Sequence, residues 1–216
     1  MSDKEDHDWL KQGSTSSGEV QAAYDAWATD YEKTLASWDY HAPTKAAELM
    51  CEALPGAASL LDAGCGTGLA GIALRAAGFT GPIDGFDLSP ESLELAARHG
   101  VYRDLNAVDL QALPLPITDD SYDGLLCVGV LTYIPDGKGV LREFARVVRP
   151  GGRIVVTQRE DLFRERGFAE TLAALVDDLS DVTVSKPQPY LPNHPDFGTD
   201  IGVHYITMTA SGDRQA

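Results

Sequence analysis

The sequence predicts an α/β fold: an open twisted sheet of seven strands, five parallel and then a C-terminal antiparallel hairpin, with helices on both faces. Three observations predict it. Between about Ser59 and Gln158, short apolar runs alternate with runs whose apolar residues recur every three or four positions. That is the rhythm of successive βαβ units. The run YDGLLCVGV (122–130) is apolar nearly throughout, as a strand covered on both faces must be. Finally, DVTVSK (181–186) and GVHYITMT (202–209) are separated by a Pro- and Gly-rich stretch with no helical pattern. They cannot make a right-handed crossover, so they pair antiparallel.

The elements follow in order. Residues 1–18 are polar, with Gly13, Gly18 and a Ser/Thr cluster between them. They read as a mobile arm before a single domain, 19–216. Val20, Ala23, Tyr24, Trp27, Tyr31 and Leu35 share one face of an amphipathic helix. A second helix begins after Pro43 and stops at Pro55-Gly56. SLLDAG (59–64) is the first strand and LAGIALRAAG (69–78) a helix that closes at Gly78. IDGFDL (83–88) is the second strand. Ser89-Pro90-Glu91 then starts a helix, with a cap, a proline at the first position and an acid in the first turn. LNAVDL (105–110) is the third strand and 122–130 the fourth. Val140, Leu141, Phe144, Val147 and Val148 mark a helix face; Pro150-Gly151-Gly152 turns the chain into RIVVTQ (153–158), the fifth strand. A further helix is expected over about 163–179.

Composition excludes several functions. The 216 residues are 44% hydrophobic, enough for a real core, and suit one domain. The 17 basic and 33 acidic side chains leave a net charge of −16. Such a chain repels phosphate backbones and anionic membrane surfaces, so no nucleic acid and no membrane partner are expected. The N-terminus carries no apolar leader and no window reaches 18 apolar residues, so the expected location is the cytoplasm. Cys51, Cys65 and Cys127 are an odd count without CxxC, which predicts no disulfide framework and no metal site.

The chemistry starts at LLDAGCGTGLAG (60–71), where a strand must turn tightly into a helix. Gly64, Gly66 and Gly68 permit the turn and let a ligand approach the backbone. Gly66-x-Gly68-x-x-Gly71 matches the dinucleotide fingerprint literally. The frame Gly64-x-Gly66-x-Gly68 fits better, because Gly64 directly follows the strand and position 69 is then leucine. Asp62, just ahead, is poor beside a pyrophosphate but suits a cationic end, an α-amino group or a sulfonium. Asp87, at the end of the second strand, is placed to accept from ribose hydroxyls. Asp109-Leu110 closes the third strand; the acid can accept from an adenine amine while Leu88 or Leu110 packs on the ring. Three acids from neighbouring strand ends should therefore line one crevice.

These segments resemble the class I S-adenosylmethionine-dependent methyltransferases, a Rossmann-like fold. LLDAGCGTG is similar to their first motif and IDGFDLSPESLELA to their second. VDLQALPLPITDDSYDGLLCVGVLTYI and LREFARVVRPGGRIVV are similar to their third-to-fourth and fifth strand segments. The Tyr24-x-x-Trp27-x-x-x-Tyr31 helix further resembles small methyltransferase-like proteins of the Williams–Beuren syndrome critical region type. The resemblance implies S-adenosylmethionine as cofactor. Gly64, Gly66 and Gly68 would approach its methionine part, Asp62 the amino end, Asp87 the ribose, and Asp109 with Leu110 the adenine. The backbone at Cys127 and Val128 would hold the methionine end. Tyr24 and Tyr31 would belong to lid helices (19–54). One departure is Thr132-Tyr133, where many small-molecule members carry a histidine pair.

If the acceptor atom is a hydroxyl, a base must reach it. Tyr133, on the acceptor side in such proteins, ranks first, and His204 is the histidine candidate. The loop 185–202, with Tyr190 and His194, is expected to shape the pocket of a small-molecule acceptor. A non-catalytic cofactor-binding module and a nicotinamide-dependent oxidoreductase are the alternatives.

Overall fold

The computed structural model describes residues 10, 14–54, 58–195, 197, 198 and 200–212. The parallel strands are β1 (Leu60–Ala63), β2 (Ile83–Asp87), β3 (Asp104–Ala107), β4 (Tyr122–Cys127) and β5 (Val148–Arg159). After them come β6 (Leu179–Val184), a two-residue β7 (Gln188–Pro189) and β8 (Gly202–Ala210). The sheet order is β3-β2-β1-β4-β5-β8-β6, with β7 also on β8. β8 runs antiparallel to β5, β6 and β7. The expected architecture is present, with β7 as an eighth strand inside the stretch expected as loop. Strand order reverses between β1 and β4, and an open parallel sheet places its crevice at that reversal.

The helices are α1 (Ser17–Ser37), α2 (Ala42–Ala53), α3 (Leu69–Ala76), α4 (Pro90–Arg98) and α5 (Gly137–Val147). Ser89 caps α4 as expected, its Oγ accepting from the Ser92 N–H at 3.0 Å. Three expectations change. The helix expected over 163–179 is two short ones, α6 (Glu160–Glu165) and α7 (Phe168–Ala173). Gly167, at φ +58°, breaks it. Pro150-Gly151-Gly152 does not precede β5 but lies within it. There β5 bulges: pairing passes from Tyr122–Val148 to Gly124–Arg153. β3 stops at Ala107, so Asp109 sits in the loop beyond the strand.

Two cores cover the sheet. Leu125, Leu141, Phe144, Ile154 and Ile206 pack under α5 on one face; Met50, Leu60, Leu74, Ile83 and Leu126 pack under α2 and α3 on the other. A third cluster joins α1 to the segment after β7 through Trp27, Leu35, Trp38, Leu191 and Phe197. Most of the polar segment 1–18 lies outside the described residues. Its Leu10 is buried in this third cluster, and Ser17 and Gly18 already belong to α1. Among the described residues no helix is long and apolar enough to cross a membrane.

Candidate functional site: a cofactor crevice and a second chamber

The β1–α3 bend is built on left-handed backbone. Gly64, Gly66 and Gly68 have φ of +77°, +53° and +102°, which only glycine adopts without cost. A Cβ on Gly64 would overlap the Val130 side chain, whereas Gly66 has open space where its Cβ would be. Gly64 therefore lets the strand tips pack, and Gly66 exposes backbone to the crevice. Gly68 caps α3. Gly71 is required by Tyr102: a Cβ there would lie 2.5 Å from its phenol oxygen.

Asp87 is half-buried at the tip of β2. Its Oδ2 accepts from the Gly66 N–H at 2.7 Å and its Oδ1 from the Ser89 N–H at 2.9 Å. One acid thus ties the glycine bend to the cap of α4. Each oxygen keeps acceptor capacity, since a carboxylate has about four lone-pair sites. Burial raises the Asp87 carboxyl, opposed by those backbone hydrogen bonds.

Asp62 is buried. Its Oδ2 accepts from the Tyr102 hydroxyl at 2.7 Å, while its Oδ1 is buried without a hydrogen-bond partner. Burial pushes its carboxyl up to about 7; the Tyr102 hydrogen bond opposes that and the Asp87 charge adds to it. Asp109 turns on itself, Oδ1 accepting from the Gln111 N–H at 2.8 Å.

Gly64, Gly66, Asp87 and Asp109 bound a crevice of about 670 Å³, counting the solvent in its mouth. Its walls include Asp87, Leu88, Asp109 and Leu110 on one side and Val128, Gly129 and Tyr133 on the other, with Tyr24 and Tyr31 of α1 above. The expected crevice of three acids is thus corrected in one respect. Asp87 and Asp109 line it, but Asp62 opens into an adjoining hollow beneath the bend, which shares Gly64, Gly66, Tyr31 and Val128 with it.

Tyr133 and Tyr190 also come together near the crevice. The Tyr24 hydroxyl donates to the Tyr133 hydroxyl at 3.2 Å. Tyr190 lines a second chamber, about 400 Å³ with its mouth, that shares Tyr24, Tyr31, Gly129 and Tyr133 with the crevice. Three assignments change. Cys127 is wholly buried in the core, and the lining residues are its successors Val128 and Gly129. His204 lies away from both cavities: Nδ1 is 2.8 Å from the Ser185 carbonyl and the ring stacks on Phe163. These contacts hold it against α6 and the chain after β6, outside the lining of both cavities. His194 is buried between Trp38 and Phe197, its Nδ1 accepting from the Phe197 N–H. It fastens the loop and does not line the chamber.

Sequence reasoning missed Tyr40, Tyr102 and Arg159. Tyr102 follows a helix-ending glycine and has no periodic partner to reveal it. Tyr40 sits in the turn between α1 and α2, where no pattern points. Arg159 was findable: it is the polar residue ending an apolar strand, the signal that singled out Asp62 and Asp87. It is 4% exposed and ends β5 beside the second chamber.

Residues 61–156 match the family model described as a methyltransferase domain. The strand order and the glycine bend agree with that match: residues 61–156 are similar to the methyltransferase domain and share the fold of the class I S-adenosylmethionine-dependent enzymes. The chain is 37% identical over 161 residues to methyltransferase-like protein 27 of Homo sapiens, covering 72% of this chain and 64% of that one. It is 34% identical over 138 residues to the demethylmenaquinone methyltransferase of Bacillus licheniformis, covering 62% and 60%. The chain thus spans less than two thirds of the length of these curated relatives. A solved complex between the Haloferax volcanii Trm112 methyltransferase activator and a protein assigned as a methyltransferase shares the fold, with TM-score 0.68 and 19% identity over 91% of this chain and 100% of that one.

Proposed function

We propose that the protein transfers a methyl group from S-adenosylmethionine to a small-molecule acceptor by in-line displacement. The observation that carries this is the unpartnered Oδ1 of buried Asp62 beneath the glycine bend. An isolated buried carboxylate is expensive, and a cationic amino group relieves it. Asp87, with acceptor sites left on both oxygens, suits a ribose diol. Asp109, Leu88 and Leu110 form a polar and apolar edge that suits adenine. The names of relatives that include a demethylmenaquinone methyltransferase support a small-molecule acceptor, as does the acidic charge, which disfavours nucleic acid.

Bound S-adenosylmethionine supplies a methyl group already activated on a sulfonium. The chain then has to align an acceptor and exclude water. α1 does both, closing Tyr24 and Tyr31 over the crevice. Burial, with the neighbouring Tyr190, raises the Tyr133 phenol, opposed by the Tyr24 hydrogen bond and the Arg159 charge; in this reading Tyr133 positions the acceptor rather than serving as a phenolate base. Tyr133→Phe is expected to lower kcat less than about tenfold and to leave the pH profile of kcat unchanged. A loss of about a hundredfold or more, the usual contribution of an acid or base, would make it the proton acceptor.

Asp87→Ala is expected to weaken S-adenosylhomocysteine binding by about 1–3 kcal/mol, measured by isothermal titration. Unchanged affinity would remove the ribose assignment. Titration with S-adenosylmethionine followed by an acceptor screen tests the function as a whole. Binding without transfer to any metabolite would favour a regulatory module.

A further inference from the structure

The second chamber has a chemistry of its own. Arg159 enters it from the end of β5, and among the described residues no other charged side chain lines it. Its Nε and Nη2 donate to the two oxygens of Asp161 at 3.1 and 2.6 Å, and its Nη1 donates to the Leu10 carbonyl at 2.7 Å. The guanidinium carbon lies 5.1 Å from the centre of the Phe197 ring. A guanidinium offers five N–H donors and stays charged, so donors remain on the edge that Asp161 does not cover. Each guanidinium nitrogen already has one acceptor, and Nη1 and Nη2 each keep one further N–H. Asp161 is itself 38% exposed, so water screens part of the charge it lends.

The remaining walls are flat and aromatic. Trp27 lines one side; Tyr40 and Tyr190 meet edge to face across another, with centroids 5.5 Å apart. Such surfaces pack best on a planar ring. The shared wall of Tyr24, Gly129 and Tyr133 joins this chamber to the crevice. A molecule anchored at Arg159 therefore extends its far end toward the cofactor.

Resting on the methyltransferase reading, we propose that the methyl acceptor is a planar aromatic carboxylate bearing a phenol ionised to solvent: its carboxylate pairs with Arg159, its ring is held among the chamber's aromatic side chains, and its phenolate oxygen bonds the methyl carbon as the carbon–sulfur bond of S-adenosylmethionine breaks to leave S-adenosylhomocysteine. Arg159 is then the residue that selects acids over their neutral analogues.

The test uses the full chain saturated with S-adenosylhomocysteine. 4-Hydroxycinnamate and 4-hydroxycinnamamide are titrated by calorimetry. Wild type is expected to bind the acid at least tenfold more tightly than the amide. Arg159→Gln is expected to abolish that preference while keeping S-adenosylhomocysteine affinity within about twofold. Equal binding of acid and amide, absence of saturable acid binding up to millimolar concentration, or a preference that survives Arg159→Gln overturns the proposal. Should the variant not fold, the wild-type ratio decides alone. Transfer to neutral acceptors without acid preference removes this inference and leaves the proposed function standing. Acid binding through Arg159 without methyl transfer to any small molecule overturns both readings.

Discussion

Asp62→Asn is expected to stabilise the cofactor-free protein above neutral pH while weakening its hold on S-adenosylhomocysteine at least tenfold. The sign follows from the carboxyl, raised from 3.8 to about 7 by burial. Below about pH 4 both folded and unfolded chains carry the proton, and the group has no effect on stability. Between about 4 and 7 the folded chain holds a proton that the unfolded chain has lost, so stability falls as pH rises. Above 7 the penalty is complete. Three units at about 1.4 kcal/mol each set an upper bound of about 4 kcal/mol. Asparagine keeps an oxygen for the Tyr102 hydroxyl and carries no charge to desolvate. Its gain should be about 2–4 kcal/mol at pH 8 and close to nothing at pH 4, or several degrees in Tm for a chain of this size. Thermal melts of wild type and variant at the two pH values measure it. A variant no more stable at pH 8 than at pH 4, relative to wild type, would show that Asp62 is not strained in the empty protein.

Gly64→Ala is expected to act in the opposite sense on stability and to abolish cofactor binding. Its φ of +77° costs an alanine about 1–2 kcal/mol. The new Cβ would also overlap Val130, an overpacking typically worth about 1–3 kcal/mol. A total loss of about 2–5 kcal/mol in urea unfolding follows. The double variant with Val130→Ala should recover the overlap but not the backbone strain, about half the loss. Gly64→Ala with stability within about 0.5 kcal/mol of wild type would mean that the bend relaxes freely.

β1, β2 and β4 were legible because burial on both faces leaves an apolar run, whereas β3 and β6 are mostly exposed and the end of β3 and the start of β5 were misplaced. Polar residues such as Asp62 and Asp87 stand out at the tips of those runs. The Ser89-Pro90-Glu91 start was legible for a local reason, since its cap needs nothing distant. Gly167 was harder to read: a single glycine inside a helical pattern is compatible with either a weak helix or a break. The bulge of Pro150-Gly151-Gly152 depends on pairing with β4, which no local pattern encodes. In the site, the cofactor side was readable because it is made by strand ends. The second chamber was only partly so. It is assembled from α1, the tip of β5 and the segment after β7, and the contacts among Tyr40, Tyr190 and Arg159 join residues far apart in sequence. His194 and His204 were plausible by residue type alone; the structure gives both ordinary packing roles.

α1 is fastened along both flanks. Its Asp25 accepts from the Ser89 hydroxyl and its Glu32 lies 3.0 Å from His99 of α4. On the other flank Trp27 and Leu35 are sunk among Leu191 and Phe197. This helix roofs the crevice and the chamber alike through Tyr24 and Tyr31, so any displacement of it widens both together.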